Sequence, residues 1–199
     1  ELGAEQQALE RQLNTATMQA ATLTDEMVEE CKELLRYFGI PYISSPGEAD
    51  AQCVELERLG LVDGIISDDS DILVFGGQTV FRHAFSSRFY PTMYTVDEIK
   101  KQTGLGSEEL FQFPFLLGGD YVKGLKRVGP KTAVQIVRQF RGGVSGLVQF
   151  REWMQNPDEK SEKPIPHGLI GLRQRIRFPT HFPQSEVVEA YLHPLTDHS

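Results

Sequence analysis

The sequence predicts an α/β protein with a parallel sheet flanked by helices, followed by a helix–hairpin–helix region. Short apolar runs typical of buried strands alternate with longer stretches that have helical spacing, in the order strand, helix, strand. This order implies a parallel sheet, because the helix carries the chain back to the same end of the sheet. A glycine-rich turn at residues 118–129, between two helical stretches, predicts the hairpin.

The composition is that of an ordinary globular protein. The 199 residues are 40% hydrophobic and 24% charged, with a formal net charge of −8. An acidic total does not by itself indicate a nucleic-acid binder. The 2 cysteines provide neither a disulfide framework nor a zinc site, so a reducing compartment is expected. No run of about 18 apolar residues and no leader sequence is visible, so we expect no membrane partner.

The first elements follow from helix signals and one short apolar run. Residues 1–20 have a thin apolar face typical of a solvated helix. Thr24 can cap a helix that Gly39 ends, and residues 40–44 then predict a buried strand.

Ser45, Pro46 and Glu48 together form a capping-box pattern for a helix that runs to about residue 59. Strands are predicted at residues 61–67 and 80–85.

Helices dominate the rest of the chain. Thr95 and Glu98 predict a capping box for a helix closed by Gly104, and Ser107 is expected to cap another helix to Leu117. Pro114 should kink or restart that helix, since a proline inside a helix costs about 3 kcal/mol. Four further segments are predicted: a helix at 134–140 closed by Gly142 and Gly143, a polar loop at 154–167, a basic helix at 169–178 and a final helix at 185–192.

Two acidic clusters lie on either side of the strand predicted at residues 61–67. Glu48 and Asp50 come before it, and Asp68, Asp69 and Asp71 come after it. Each cluster alone has an ordinary explanation, in a helix first turn or a solvated turn. A sheet would bring them to one edge, where carboxylates repel each other unless a cation is present. Oxygen-only ligands favour Mg²⁺ or Mn²⁺, and two such ions support phosphodiester hydrolysis.

The hairpin combines glycines with segregated positive charge. Gly129 allows a close backbone approach, and Pro130 suits the first position of the next helix, whose free amides can bind phosphate. A surplus of basic residues on a solvated helix pair is the alternative. Residues 121–151 contain no Asp or Glu and seven basic residues, namely Lys123, Lys126, Arg127, Lys131, Arg138, Arg141 and Arg151. This segregation favours sequence-independent binding to a nucleic-acid backbone.

At these residues the sequence resembles the flap endonuclease and xeroderma pigmentosum group G family of structure-specific 5′ nucleases. The likeness is strong over residues 24–142, and the tail at 182–192 is similar to the group G excision-repair branch. The segments that carry it are Gly39-Ile40-Pro41-Tyr42, Glu48-Ala49-Asp50-Ala51-Gln52-Cys53, Asp68-Asp69-Ser70-Asp71, Phe75-Gly76 and Leu116-Leu117-Gly118-Gly119-Asp120-Tyr121.

The resemblance implies a PIN-like nuclease core with a helix-hairpin-helix. Such a protein would hydrolyse DNA at junctions of single and double strands. It would use two Mg²⁺ ions, for which Mn²⁺ can substitute. Asp68 then remains a turn residue. The implied metal-site carboxylates are Glu48, Asp50, Asp69, Asp71 and Asp120. Backbone oxygens of Gly124, Leu125 and Val128 would bind K⁺. The expected DNA-binding residues are Lys123, Lys126, Arg127, Gly129 and Lys131.

The resemblance also implies a domain organisation. Residues 1–23 would be the end of a spacer or an arch-like helix, and residues 24–117 the internal nuclease region without its N-terminal half. Residues 118–151 would form the hairpin region and residues 152–199 a C-terminal extension. The chain begins at Glu1 and is expected to be a fragment, inactive alone.

The implied setting is DNA repair in the nucleus, most specifically nucleotide excision repair. The expected partners are bubble or flap DNA, the missing N-terminal nuclease region and repair-complex proteins. Two alternatives stay open. Asp50 stands where the family usually has Glu, and this residue together with Pro114 could mark a non-catalytic DNA-binding scaffold of the same fold. A PIN-type ribonuclease is the other alternative, against which the basic hairpin argues.

Overall fold

A computed structural model of the protein describes residues 24–156, 167–171, 173 and 175–198. The predictions for residues 1–23 lie outside the described residues, as does most of the predicted loop at 154–167. The chain divides into two units, one ending at Ser44 and one beginning at Ser45.

The described part of the first unit contains helix α1 at Asp25–Tyr37, as predicted. The Thr24 hydroxyl accepts a hydrogen bond from the Met27 amide at 3.3 Å and so caps the helix. Gly39, with a φ of +66°, provides the left-handed turn that ends it.

The strand predicted at residues 40–44 is wrong. This segment is not assigned to any strand and pairs with none of the three strands among the described residues. Ile40 and Ile43 are exposed. A strand exists only where a neighbouring strand accepts and donates its backbone hydrogen bonds, and apolar composition cannot supply that neighbour.

The second unit contains a small mixed sheet. Its strands lie in the spatial order β1 (Ile65–Ile66), β2 (Thr79–Arg82) and β3 (Thr92–Thr95). β1 and β2 pair in parallel, as predicted for residues 61–67 and 80–85, although both strands are shorter. β3 was not predicted and runs antiparallel to β2.

Two helices pack beside this sheet and carry the acidic residues. They are α2 (Ala49–Arg58) and α3 (Asp71–Phe75), which crosses from β1 to β2. Val54 of α2 and Ile72 of α3 bury against Ile65 and Val80 of the strands. This small core fixes both acidic helices to one sheet.

The chain then becomes helical. Thr95 caps α4 (Val96–Thr103) by accepting from the Glu98 amide at 3.2 Å, and Gly104 ends it with a φ of +75°, as predicted. The helix predicted to run from Ser107 to Leu117 is two short helices, α5 (Ser107–Phe111) and α6 (Phe113–Leu117).

The expected restart at Pro114 is confirmed, because Pro114 lies in the first turn of α6, where its missing N–H has no helical partner to lose. Ser107 is not the cap. Gly106 occupies the N-cap position, and its amide donates to the Glu109 carboxylate at 2.8 Å.

Four helices complete the described chain, namely α7 (Pro130–Gln139), α8 (Gly143–Gln155), α9 (His167–Ile170) and α10 (Ser185–Leu192). Pro130 opens α7 as expected, and α10 matches the predicted final helix. Sequence analysis missed α8, whose glycines lower helix propensity but whose Leu147, Phe150 and Trp153 face is buried.

The basic helix predicted at residues 169–178 is wrong. The helix stops at Ile170, and residues 176–179 are irregular. Ile176 is buried in the core, so this segment is held by packing and not by helical hydrogen bonds.

The larger core holds the hairpin against α6. Phe115 of α6 and Leu125 of the hairpin are buried together with Tyr191 of α10. Gly124 approaches α6 so closely that a Cβ would lie 2.2 Å from the Leu117 carbonyl carbon and 2.4 Å from the Gly118 nitrogen. This contact sets the position of the loop that carries Asp120.

Replacing Gly124 with alanine should therefore destabilise the protein by about 1–3 kcal/mol or more, because backbone atoms must move to admit the methyl group. The measurement is urea-induced unfolding. Gly168→Ala is the control, since its nearest atom would be 3.7 Å away. Equal midpoints for the two variants would contradict the close approach.

Candidate functional site

Three places in the second unit carry the predicted acidic residues. Glu48 and Asp50 stand at the start of α2, Asp69 and Asp71 at the start of α3, and Asp120 follows α6. The five carboxylates therefore come from three separate segments of the chain.

The electrostatics show that these segments meet. Burial raises the pKa of Asp50 most, and the negative charges of the other four carboxylates raise it further, in the order Asp69, Asp71, Glu48 and Asp120. Such an effect requires short distances, because solvent screens charges beyond about 10 Å. The fold thus brings all five predicted carboxylates into one cluster.

The pKa of Asp71 is also raised. Burial raises its pKa most, a hydrogen bond from Tyr191 opposes this, and the charges of Asp69, Asp120 and Glu48 raise it again. Two partly buried carboxyls in one cluster both resist ionisation, which is the electrostatic pattern of a site that can accept a cation.

The start of α2 differs from the predicted capping box. The helix begins at Ala49, Glu48 is the N-cap residue, and its side chain makes no capping hydrogen bond. Ser45 instead organises the preceding turn: its hydroxyl donates to the Glu48 carbonyl at 3.0 Å and accepts from the Gly47 amide at 3.3 Å. The Glu48 carboxylate is therefore not used as a cap.

Tyr121 contacts that carboxylate. Burial and a hydrogen bond with Glu48 raise the pKa of Tyr121 to about 12. The residue directly after Asp120 thereby links the hairpin side of the cluster to the start of α2.

The acidic turn before α3 separates its three aspartates by role. The Asp69 carboxylate accepts from the Asp71 amide at 2.9 Å, and the Ser67 hydroxyl accepts from the Asp69 amide at 3.0 Å. Asp68 accepts from the backbone amide of His83 at 2.7 Å, at the end of β2. Asp68 is a turn residue, as expected.

Sequence analysis missed Tyr191 as part of the site. Its hydroxyl donates to the Asp71 carboxylate at 3.0 Å, and the residue is only 1% exposed. Burial and the Asp71 charge raise the pKa of Tyr191, so the hydroxyl remains a neutral donor. No periodic signal connects residues 120 positions apart; only the likeness of the tail to the excision-repair branch pointed there.

The donor chemistry of the cluster fits Mg²⁺ or Mn²⁺, because every candidate ligand is a carboxylate oxygen. The side chains do not form a closed cage as they stand. Within residues 24–156 and the described parts of 167–198, no group of three His, Cys, Asp or Glu side chains is arranged to hold an ion. The described carboxylates are therefore chemically suitable donors without a closed set of ligands among them.

The hairpin at residues 118–129 is tied to α6 by its backbone. The Leu125 amide donates to the Leu116 carbonyl at 3.0 Å, and the Val128 amide donates to the Leu125 carbonyl at 3.1 Å. Gly124, Leu125 and Val128 lie in one turn, where Arg127 has a φ of +70°. K⁺ binding by their carbonyl oxygens remains a prediction.

The seven basic residues of the hairpin region divide into two groups. Arg138, Arg141 and Arg151 donate to backbone carbonyls of Thr103, Gly104 and Phe182 and so support the fold. The other four are exposed and have no hydrogen bond or ion pair with the rest of the described chain, namely Lys123, Lys126, Arg127 and Lys131. These are the four basic residues that the sequence assigned to DNA.

Gly129 completes this surface. It precedes α7 as its N-cap residue, and a Cβ there would meet nothing within 4 Å. The backbone at the start of α7 is therefore uncrowded on the side of the Gly129 Cβ position.

Similar solved structures show that the chain has the fold of the XPG and flap endonuclease class. The catalytic core of Rad2 in complex with DNA substrate superposes with a TM-score of 0.79 and 35% identity, over 96% of this chain and 62% of that chain. The Holliday junction-resolving enzyme GEN1, in complex with product DNA and Mg²⁺, superposes with a TM-score of 0.66 and 26% identity, over 88% of this chain and 44% of that chain.

The sequence comparisons are more specific. A family profile described as the XPG I-region matches residues 39–120. DNA repair protein rad13 of Schizosaccharomyces pombe is 40% identical over 96% of this chain, and DNA excision repair protein ERCC-5 of Mus musculus is 36% identical over 98%. The chain belongs to the XPG family. It spans 18% and 17% of the length of these two relatives.

The raised carboxyl pKa values have a consequence for stability. Because the folded-state pKa of Asp50 and Asp71 lies above 3.8, these two carboxyls bind protons more readily in the metal-free folded protein than in the unfolded chain. Their contribution to stability should therefore become more favourable as the pH falls from neutral through these raised pKa values, and be least favourable when both groups are ionised.

Asp50→Asn should accordingly raise the stability of the metal-free protein at pH 7 by roughly 0.5–1 kcal/mol and flatten this pH dependence. Thermal unfolding in the presence of a chelator measures both effects. Asp63→Asn removes the same charge from an exposed turn and is the control. A destabilised Asp50→Asn variant would contradict the repulsion.

Proposed function

We propose that the protein is a metal-dependent, structure-specific DNA endonuclease of DNA repair, acting in nucleotide excision repair in the nucleus. One observation carries this proposal: five carboxylates from three segments converge next to a hairpin whose four uncommitted basic residues are exposed. The naming of its relatives as DNA repair and excision repair proteins supports the setting.

The residues that would hold the metal are Glu48, Asp50, Asp69, Asp71 and Asp120. Two bound Mg²⁺ ions would activate a water for attack on the phosphodiester and stabilise the leaving oxygen. The chain itself contributes the negative charge that attracts cations, the partly buried setting that strengthens their binding, and the hydrogen bonds that orient Glu48 and Asp71. The Mg²⁺ in the GEN1 complex supports metal dependence.

The hairpin would bind the duplex part of the substrate through its phosphates. Lys123, Lys126, Arg127 and Lys131 would supply charge, and the uncrowded Gly129 would let a phosphate approach the amides at the start of α7. Carbonyl oxygens of Gly124, Leu125 and Val128 would hold K⁺ and thereby shape the turn.

We propose that the site is incomplete within this chain. The chain covers 62% of the Rad2 catalytic core and 18% of rad13, and the described carboxylates form no closed cage. We propose that an N-terminal nuclease region elsewhere in the polypeptide supplies further ligands and substrate contacts, and that residues 1–199 alone do not cleave DNA. Repair-complex proteins would bring the enzyme to its substrate.

The full-length protein should cleave bubble and flap DNA with Mg²⁺, and Asp120→Asn should reduce the cleavage rate at least about 100-fold, because it removes a charged ligand. DNA binding should remain within a factor of about two, since Asp120 supplies no positive charge to the phosphates. Rates are measured on labelled bubble, flap and matched RNA substrates.

Asp68→Asn is the matched control, because it neutralises a neighbouring carboxylate that serves the turn. Three outcomes would contradict the proposal. If the full-length protein binds DNA but no Mn²⁺, it is a scaffold. Preferential cleavage of RNA, or robust cleavage of DNA by residues 1–199 alone, would also contradict it.

The division of the basic residues gives a separate expectation. Lys126→Ala and Lys131→Ala should each weaken binding to duplex DNA of any sequence and reduce the slope of log K against log salt by about 1, because each removes one phosphate contact. Filter binding at several salt concentrations measures the slope.

Arg138→Ala is the comparison, since that guanidinium donates to the Thr103 carbonyl at 3.2 Å. It should lower stability and leave the salt slope unchanged. A reduced slope for Arg138→Ala, or unchanged slopes for both lysine variants, would show that the DNA surface lies elsewhere.

A further inference from the structure

We propose that residues 185–198 form a clamp that positions the metal ligands, with Tyr191 as the positioning residue for Asp71 and Gln52 as the point where the clamp holds α2. This inference rests on the proposed function, because it assigns a task to side chains that touch the acidic cluster but cannot themselves be hydrolytic groups.

Tyr191 is fixed on all sides. Its ring is 5.3 Å from that of Phe75 and 5.0 Å from that of Tyr121, nearly perpendicular to the latter at 88°. The hydroxyl donates to one oxygen of Asp71 at 3.0 Å. A donor held this rigidly fixes the rotation of the carboxylate plane, which is how outer hydrogen-bond partners orient metal ligands.

The same hydroxyl lies against the loop that carries Asp120. A Cβ on Gly119 would be only 3.0 Å from the Tyr191 oxygen. A glycine directly before Asp120 therefore lets the loop approach the tyrosine that holds Asp71. One side chain from α10 thus sets the positions of two acidic segments.

The end of the chain holds the third acidic segment. Gln52, two residues after Asp50, is 4% exposed and exchanges two hydrogen bonds with the backbone of Asp197. The Gln52 amide nitrogen donates to the Asp197 carbonyl at 2.9 Å, and the Asp197 amide donates to the Gln52 oxygen at 2.7 Å. The Gln52 side-chain amide and the Asp197 backbone thus exchange both hydrogen bonds, as two opposite residues of antiparallel strands do.

Two more contacts keep the tail along the start of α2. His198 Nδ1 lies 2.7 Å from the Glu55 carboxylate. A Cβ on Gly47 would lie 2.8 Å from the Leu195 carbonyl oxygen. The tail therefore contacts residues on both sides of Glu48 and Asp50, while α10 contacts Asp71. Residues 185–198 therefore contact or adjoin all three acidic segments.

A clamp of this kind predicts a specific defect in the full-length protein. Tyr191→Phe keeps the ring and its packing but removes the hydroxyl. Its Mn²⁺ affinity should fall about 10-fold, the Mg²⁺ concentration for half-maximal cleavage should rise by the same factor, and the KM for DNA should stay unchanged. Excess Mg²⁺ should restore the cleavage rate.

Gln52→Ala should shift the metal requirement in the same direction. The matched control for Tyr191→Phe is Tyr90→Phe, at a side chain that is 90% exposed, and it should behave like the parent protein. Mn²⁺ binding is followed by electron paramagnetic resonance of the free ion, and thermal unfolding is recorded for every variant.

The outcomes distinguish a failure of the proposed function from a failure of the clamp. A parent protein that neither binds Mn²⁺ nor cleaves DNA overturns the proposed function. A parent that does both, with Tyr191→Phe showing the parental metal requirement, overturns the clamp alone. Lost cleavage that excess Mg²⁺ does not restore, with a lowered melting temperature, also overturns it in favour of a purely structural role.

Discussion

Mutual repulsion among partly buried carboxylates is the constraint on which the second unit depends. Asp50 and Asp71 have raised pKa values because burial and neighbouring negative charges act in the same direction. Such a cluster costs free energy of folding in the absence of a cation. The packing around it must hold the cluster together against that cost, and a bound cation would turn the same cost into binding energy.

The fold meets this constraint with contacts that are distant in sequence. The small core of Val54, Ile65, Ile72 and Val80 fixes the two acidic helices to the sheet. The larger core fixes α10, which carries Tyr191 to Asp71. Neither helix start could keep its carboxylates near the other by local hydrogen bonds alone.

The hairpin shows a second division of labour. Arginines that donate to carbonyls hold the helices together, whereas the exposed lysines and Arg127 make no such contacts within the described chain. In the sequence, both groups count equally as positive charge. Their separation matters for the proposed DNA binding, because side chains that make no contacts within the fold are free to contact phosphates.

The sequence by itself determined the elements with strong local causes. Thr24, Thr95 and Pro130 mark the starts of helices, Gly39 and Gly104 mark ends, and Pro114 forces a restart, because each of these residues acts on its own turn. Residue type and spacing also predicted the two acidic clusters at residues 48–50 and 68–71 and the basic hairpin region, whereas Asp120 was expected only from the family resemblance. A strand at 40–44 and a helix at 169–178 failed, because pairing and packing partners decide those segments.

Only the tertiary structure decided what holds the site. The spacing assigns the Glu48 side chain to a capping box, whereas in the structure Glu48 is the N-cap residue and its side chain makes no capping hydrogen bond. Tyr191 and Gln52 have no periodic relation to Asp71 and Asp197, from which they are 120 and 145 residues distant. Contacts over such separations arise from the packing of the whole unit, and no local pattern in the chain encodes them.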